Sequence, residues 1–553
     1  IVGRYPRVRR EDIVHALNCA VQDPDGWRRQ SPAERQEILQ RAAIEIRQAR
    51  GDLIGAAIAD GGKTVTETDP EVSEAIDFVE FYAATARWFA ELAPGKLSAT
   101  GKGVAVVASP WNFPIAIPCG GVAAALAAGN TVILKPASDT VLPAFLLCQC
   151  FWRAGVSNRT LQFLPCRGGS EGRELVTDPR VDAVILTGGT ATALDLFDQR
   201  PDLPLSAETG GKNATIVTGL ADRDQAVKHV LHSAFGHAGQ KCSATSLLLL
   251  EAEVYDDPQF KRSLCEAAAS LPVGSAWNPA TKINPLIRPP RGDLERALKT
   301  LGPGESWALM PHALENLPNC WTPGIKWDVQ PGSDSHLTEF FGPVLSVLRF
   351  EKLNAAISIV NRTGYGLTSG LESLDDREQQ EWRDGIRAGN LYINRPTVGA
   401  IVLRQPFGGY GKSAFGPGLK AGGPNYVTQF MRFEETDGPA TEHTPGDPLL
   451  AGLSERLRGP EAKRTIPARC LARIHAAMCD YESAWQEEFS VTHDHFRILG
   501  QDNFRRYLKI PHLRIRVHEV DSAFEVISRI CAARTVGTRP VVSYSGSGDN
   551  STV

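Results

Sequence analysis

Val104-Ala105-Val106-Val107-Ala108 carries no polar side chain, and it is the first of several short, predominantly apolar runs. Others stand at 131–134 (Thr-Val-Ile-Leu), 161–164 (Leu-Gln-Phe-Leu), 181–186 (Val-Asp-Ala-Val-Ile-Leu) and 215–217 (Thr-Ile-Val), and helix-length segments separate the first four. A strand that stays apolar along its length is buried on both faces, and strands alternating with helices give a parallel sheet covered on either side. The expected fold class is therefore α/β, with a nucleotide-binding domain beginning near residue 103.

On the N-terminal side, residues 10–100 read as helices. Ser31-Pro32-Ala33-Glu34 has the form of a capping box with Pro at the first helical position, and Ile38, Leu39, Ala42, Ala43 and Ile46 recur behind it at helical spacing. On the C-terminal side a second α/β region runs from 212 to 412. Residues 436–452 are polar and rich in Pro and Gly, which reads as a linker. Beyond it, 466–489 and 522–534 have helical patterns, with a strand-like alternation at Leu513, Ile515 and Val517 between them. The last eleven residues read as a disordered tail or a cut end. The expected division is 1–211 for helices and the nucleotide domain, 212–412 for a catalytic domain, 413–452 for an oligomerisation segment and linker, and 453–553 for a C-terminal domain.

The 553 residues include 59 Lys plus Arg against 63 Asp plus Glu, a net charge of −4, which leaves no electrostatic footprint for nucleic acid or an anionic membrane. Eleven cysteines in such a length, without metal-site spacing, exclude a disulfide scaffold and point to a reducing, cytoplasmic setting with no bound metal. No apolar stretch is long enough to span a bilayer. The chain opens on Ile1 rather than Met, which fits a fragment of a longer protein.

Four stretches carry candidate chemistry. Cys242 follows Gly239-Gln240-Lys241, a polar, cationic loop of the kind that lowers a thiol pKa, whereas Cys148 and Cys150 sit in an apolar run as small hydrophobes. Glu208, in Ser206-Ala207-Glu208-Thr209-Gly210-Gly211, lacks any helical charge pattern and could serve as a general base. Ser109-Pro110-Trp111-Asn112-Phe113-Pro114 follows the strand at 104–108, and its prolines would hold the Asn112 amide where an oxyanion develops. Thr187-Gly188-Gly189-Thr190 ends another strand and opens a helix whose N–H groups could take a pyrophosphate.

Together with Lys135-Pro136-Ala137-Ser138 and Glu339-Phe340-Phe341-Gly342-Pro343, these stretches occur in the order and spacing of the aldehyde dehydrogenase superfamily, which residues 10–432 resemble. The resemblance implies an aldehyde-dehydrogenase-like fold, with a Rossmann-type NAD-binding domain, an α/β catalytic domain and here an extra C-terminal α/β domain. It implies Cys242 as nucleophile, Asn112 as oxyanion donor with the Cys242 N–H, and Glu208 as the base that activates water. NAD is the implied cofactor, with Lys135 and Ser138 at its adenosine ribose, Gly188, Gly189 and Thr190 at its pyrophosphate, and Glu339, Phe341 and Trp111 around its nicotinamide end. Two positions depart from the family pattern: Ala193 replaces the last glycine after Thr190, and Ser138 stands where many NAD-specific members have Glu, removing a carboxylate that would repel a 2′-phosphate.

More narrowly, Cys242-Ser243-Ala244, the run 389–395, Thr397-Val398-Gly399-Ala400, Gln405-Pro406-Phe407-Gly408-Gly409 and Lys420-Ala421-Gly422-Gly423-Pro424 resemble Δ1-pyrroline-5-carboxylate dehydrogenases, including the dehydrogenase half of bifunctional proline utilization A proteins. That resemblance implies oxidation of L-glutamate γ-semialdehyde to glutamate, with Ser243, Gly399 and Ala400 at the substrate's α-carboxylate. It implies a homo-oligomer and a flavin-dependent proline dehydrogenase, fused or separate, as partner. The run 500–507 resembles the additional C-terminal domain of longer members, for which packing or assembly is the expected role. His493-Asp494-His495 reads as a solvated loop. The alternatives are a dehydrogenase for another carboxylated aldehyde, such as succinate semialdehyde, and a catalytically idle binding module.

Overall fold

The computed structural model describes residues 2–92, 97–435 and 444–544. It comprises two compact units, Ile1–Glu434 and Glu435–Val553.

In the first unit the initial four runs become the strands Val104–Ala108, Thr131–Lys135, Leu161–Phe163 and Ala183–Thr187. With Leu205–Glu208 they form a parallel sheet in the spatial order 205–208, 183–187, 104–108, 131–135, 161–163, and Ala414–Phe415 adds antiparallel to the 205–208 edge. Alternation of side chains across a strand explains the absence of polar positions. Ala105, Val107, Val132, Leu134 and Ile185 face a core shared with the helices Pro32–Gln48, Val65–Ala90 and Ala116–Ala127. Val104, Val106, Ile133, Val184 and Leu186 face a separate core under the helices Arg10–Gln22, Glu171–Thr177 and Thr190–Gln199. Each buried Val, Ile or Leu contributes about 1.5–3 kcal/mol of transfer free energy, so both faces are strongly specified. Ala193 is one of these fully buried residues, which accounts for an alanine where the family pattern has glycine.

The second sheet begins at Asn213–Val217, so the run at 215–217 belongs to it rather than to the nucleotide-domain alternation. Its spatial order is 390–393, 368–372, 213–217, 245–251, 344–350, 324–327, 306–309, with only the last pair antiparallel.

Local signals at the helix starts hold. Ser31 Oγ accepts the Glu34 N–H at 3.2 Å and Glu34 Oε2 accepts the Ser31 N–H at 2.7 Å. Three expectations need correction. Residues 97–101, read as part of a helical region, form a half-exposed strand paired with Met431–Glu435. The stretch read as linker contains the start of a helix, Pro448–Arg458, because Asp447 accepts the N–H groups of Leu449 and Leu450 and Pro448 occupies the first helical position. Within that stretch, 436–443 lie outside the described residues. Of the expected tail, Ser543 and Tyr544 end the strand Val541–Tyr544, and 545–553 lie outside the described residues.

The second unit packs the helices Pro448–Arg458, Ala468–Ala484 and Ala523–Thr535 around Leu450, Leu457, Leu471, Ile474, Met478 and Cys531. The helix Ala523–Thr535 links the parallel pair Arg514–Val517 and Val541–Tyr544. Among the described residues no helix is long and apolar enough to cross a membrane.

Candidate active site

Four neighbouring parallel strands deliver the candidate loops to one edge of the first sheet. Asn112 follows the strand ending at Ala108, Lys135 and Ser138 follow its neighbour, Gly188 to Thr190 follow the strand ending at Thr187, and Glu208 ends the next. The carboxyl ends of such strands are where ligands bind in open α/β sheets. Four residues after Glu208 the chain enters the second sheet at Asn213.

Cys242 lies in the turn before the strand Thr245–Glu251. Asn213, opposite Thr245 in the sheet, donates its Nδ2 to the Cys242 carbonyl at 2.6 Å and to the Ala244 carbonyl at 3.0 Å, splinting the turn. Upstream, His237 and Ala238 both hold left-handed backbone (φ 52° and 54°), a conformation that costs non-glycine residues free energy and concentrates at functional sites. Gln240 maintains it. Its Nε2 donates to the His237 carbonyl at 3.1 Å, and its Oε1 accepts the Ile287 N–H at 3.0 Å. The Gln240 carbonyl in turn accepts Asn112 Nδ2 at 2.9 Å. Asn112 is thus buried, with its amide Nδ2 engaged at the carbonyl two residues before Cys242.

The thiol environment differs from the sequence expectation. Lys241 does not lower the Cys242 pKa; its Nζ pairs with Glu67 at 2.5 Å. Burial, followed by the carboxylates of Glu339 and Glu208, pushes the thiol up to about 12, against the backbone N–H groups of Ser243 and Cys242. Glu208 is itself pushed up to about 8 by burial, with Lys420 and the Gly409 N–H acting in the opposite direction. Its Oε2 is sealed from solvent without a hydrogen-bond partner. A buried thiol and a buried carboxyl in each other's field hold a proton each at neutral pH, and that proton inventory suits acid–base chemistry.

Glu339 reaches the same place from the second sheet. Its Oε1 accepts the Gly211 N–H at 2.7 Å, and burial raises its pKa to about 7. A Cβ on Gly210 would lie 1.9 Å from Glu339 Oε2, so a glycine is needed there for this approach. Lys212 Nζ is buried without a hydrogen-bond partner, 4.6 Å from the Phe340 ring centre. Phe341 meets Trp111 edge-on, with centroids 5.8 Å apart, joining the 339–343 and 109–114 loops. The loop 397–400 is tied in through Thr397, whose N–H donates to Ser233 Oγ at 3.0 Å and whose Oγ1 donates to the Ser243 carbonyl at 3.0 Å. Gly399 is exposed with φ +86°.

The adenosine-side candidates stand apart from this cluster. Lys135 is buried at its strand end, its Nζ donating to the Pro136 carbonyl at 3.2 Å, and Ser138 sits in an exposed turn. Gly189 is the N-cap of the helix Thr190–Gln199, and no side chain caps it, so the first N–H groups of a ten-residue helix are open to a pyrophosphate. The Thr190 hydroxyl donates to the Lys412 carbonyl at 2.9 Å. These features fit a dinucleotide lying across the strand ends. Among the described residues no group of His, Cys, Asp and Glu is arranged to hold a metal ion. In the second unit His493 and His495 stack at 5.5 Å, and His493 pairs with Glu488 at 3.2 Å.

Sequence reasoning missed the supports: Asn213, Gln240, Thr397, Glu67 and Lys420. Gln240, Thr397 and Lys420 lay within quoted motifs, but nothing local marks Glu67, which is brought in by the helix Val65–Ala90. One turn on, Glu71 Oε1 accepts the N–H groups of Ile115 and Ala116, and its Oε2 binds Lys63 at 2.7 Å. Two carboxylates of one helix therefore hold the loops bearing Cys242 and Asn112. Burial would raise the Glu67 pKa, but Lys241 and Lys63 outweigh it and hold it at about 2. A carboxylate with a depressed pKa stabilises the fold fully above its unfolded value, and that stability is lost as pH falls from about 4.5 toward 2. Lys241→Met is expected to destabilise by about 3 kcal/mol, because it strands a mostly buried carboxylate. Denaturant midpoints above pH 5 should show this loss, and the gap to the parent should narrow in acid.

Comparison with known proteins agrees with this geometry. The description of the Aldehyde dehydrogenase family matches residues 1–435. The Bifunctional protein PutA of Escherichia coli (strain K12) is 38% identical over 449 residues, which are 78% of this chain and 33% of that protein. The chain thus spans about a third of the length of that relative. The structure of Proline Utilization A (PutA) from Corynebacterium freiburgense superimposes with a TM-score of 0.87 at 40% identity, covering 99% of this chain and 54% of that one. A 1-pyrroline-5-carboxylate dehydrogenase from Thermus with bound NAD superimposes with a TM-score of 0.71 at 31% identity, covering 78% of this chain and 86% of that one. With most of its length matched, and with Asn112 and Glu208 at the strand ends of the first sheet and Cys242 in a turn of the second that Asn112 reaches, the chain belongs to the aldehyde dehydrogenase family.

Proposed function

We propose that the chain oxidises L-glutamate γ-semialdehyde to L-glutamate with NAD, as a step of proline catabolism. The observation that carries the reading is the hydrogen bond from Asn112 to the carbonyl of Gln240, which fixes an amide beside the nucleophile's turn while Glu208 shares that turn's electrostatic field. The names of relatives, 1-pyrroline-5-carboxylate dehydrogenase and PutA, support the substrate.

Attack begins when the Cys242 thiol releases its proton to water and its sulfur bonds to the aldehyde carbon. The carbonyl oxygen becomes an oxyanion, which the second Asn112 amide N–H and the Cys242 backbone N–H would hold. The open start of the helix Thr190–Gln199, Lys135 and Glu339 would hold NAD, whose chemistry when bound is to accept the hydride that leaves the adduct carbon as the Cys242 thioester forms. Glu208 in its anionic form takes a proton from the water that adds to the Cys242 thioester, and collapse returns the sulfur as leaving group. A base with a pKa near the working pH combines a useful anionic fraction with enough basicity. At the other end of the substrate, backbone N–H groups of Gly399 and Ala400 with the Ser243 hydroxyl would bind the α-carboxylate without a buried cation.

Ser138 leaves the adenosine ribose site without a carboxylate, yet NAD remains the cofactor of this reading, supported by the Thermus enzyme described with it. A proline dehydrogenase, fused or separate, would supply the substrate, in keeping with the word bifunctional in the name of the Escherichia coli relative. We place assembly rather than catalysis in the unit 435–553, and a homo-oligomer as the working form. A panel of aldehydes with NAD and NADP tests the reading. The expected result is a higher kcat/KM for glutamate semialdehyde than for succinate semialdehyde with NAD; the reverse order would remove the substrate assignment.

A further inference from the structure

The reaction above leaves Lys420 without a role, although its side chain enters the base's surroundings. Its Nζ donates to the Gly389 carbonyl, which tethers the ammonium at the mouth of the strand Asn390–Ile393. Its stem packs on Gly408. A Cβ added there would lie 3.0 Å from Lys420 Cγ and also 3.0 Å from Glu208 Oε1, so lysine and glutamate face one another over a residue that has no side chain. Glu208 Oε2 is sealed off without a hydrogen-bond partner. A buried carboxylate in that state is costly unless a positive charge stands close. The groups acting on Glu208 from the packed elements are Lys420 and the Gly409 N–H, and Glu208 acts in turn on the Cys242 thiol and the Tyr426 hydroxyl. Among these Lys420 carries the positive charge.

We propose that Lys420 is the positioning residue of the general base: its side chain meets the Glu208 carboxyl across Gly408 with the ammonium tethered to the Gly389 carbonyl, and its charge raises the share of Glu208 that is anionic for proton abstraction from water. The inference rests on Glu208 being that base. Burial holds the Glu208 carboxyl at about 8 even with the lysine present, and burial brings Lys420 down to about 8 with Glu208 opposing it. Removing the cation leaves burial opposed only by the Gly409 N–H, so the carboxyl rises further and its anionic fraction at neutral pH falls. An opposite charge at close range moves such a group by about 1–3 pH units, tenfold in anionic fraction for each unit.

The test compares Lys420→Met, which keeps the stem and removes the charge, with Lys420→Arg, which keeps the charge, in the full chain with glutamate semialdehyde and NAD. First-turnover NADH reports acylation, and the steady-state rate against pH reports the base. Lys420→Met should retain its NADH burst, turn over about tenfold or more slowly at pH 7, and show its rising limb displaced to higher pH by about one unit or more. Lys420→Arg should recover most of the rate and the original limb. An unmoved limb in Lys420→Met would overturn the inference, as would a raised KM with kcat unchanged, which would make Lys420 a binding group. Loss of burst and turnover together, unrescued by arginine, would reduce it to a structural residue. The underlying reading fails separately, through a Glu208→Gln enzyme whose steady-state rate is unchanged.

Discussion

Cys242→Ala should lose turnover by roughly ten-thousandfold or more, with no NADH burst, while the protein stays folded. The size follows from what the residue does. No other described cysteine lies in a turn that Asn213 splints and Asn112 approaches; Cys148 and Cys150, for comparison, are fully buried in the core. Replacing sulfur by hydrogen removes the bond on which hydride departure depends, so the electrostatic supports have no adduct to stabilise. Folding should survive because the side chain is small and Asn213 holds the turn through the Cys242 carbonyl, which alanine keeps. Stopped-flow NADH absorbance and a denaturant curve decide it. Full activity in the variant would remove Cys242 as nucleophile and with it the proposed reaction.

Glu208→Gln should separate the two halves of the reaction. Acylation needs the thiol, the amide and the cofactor, so a burst approaching about one equivalent of NADH per active site should persist. Hydrolysis needs a base, so the steady state should fall by about 10²–10⁴-fold. The pH dependence supplies a second readout. With the carboxyl raised to about 8, the anionic fraction of the parent enzyme climbs as pH rises through 8, and its steady-state rate should climb with it. Glutamine does not titrate, so the variant's profile should be flat across that range. A parent rate that falls between pH 7 and 9, or a variant that keeps the rising limb, would sink the assignment.

Much of this was legible in the chain. The run 104–108 needed no tertiary information, because a strand facing two cores has no place for a polar residue, and the structure assigns its alternate positions to those two cores. Ser31 and Glu34 close their box through bonds only three residues apart. What stayed hidden was set by distant partners. Lys241 reads as a cation beside a thiol until Glu67, far upstream in sequence, neutralises it. The Asp447-Pro448 pair reads as linker by composition, though both residues are doing the work of a helix start. Strand 97–101 could not be seen because its partner lies at 431–435 and its half-exposed alternation is weak. In the site, motif order located Cys242, Asn112 and Glu208, while the direction of the thiol's pKa shift required knowing which carboxylates surround it.

Only four residues separate the end of one sheet at Glu208 from the start of the next at Asn213, and Glu339 grips the N–H of Gly211 among them. The distance from Glu208 to the Asn213 splint beneath the Cys242 turn is therefore set by covalent bonds, not by how two lobes happen to settle against each other. Breathing motions that admit substrate or let product leave must flex at the rim, leaving the reacting centre with a nearly constant ruler.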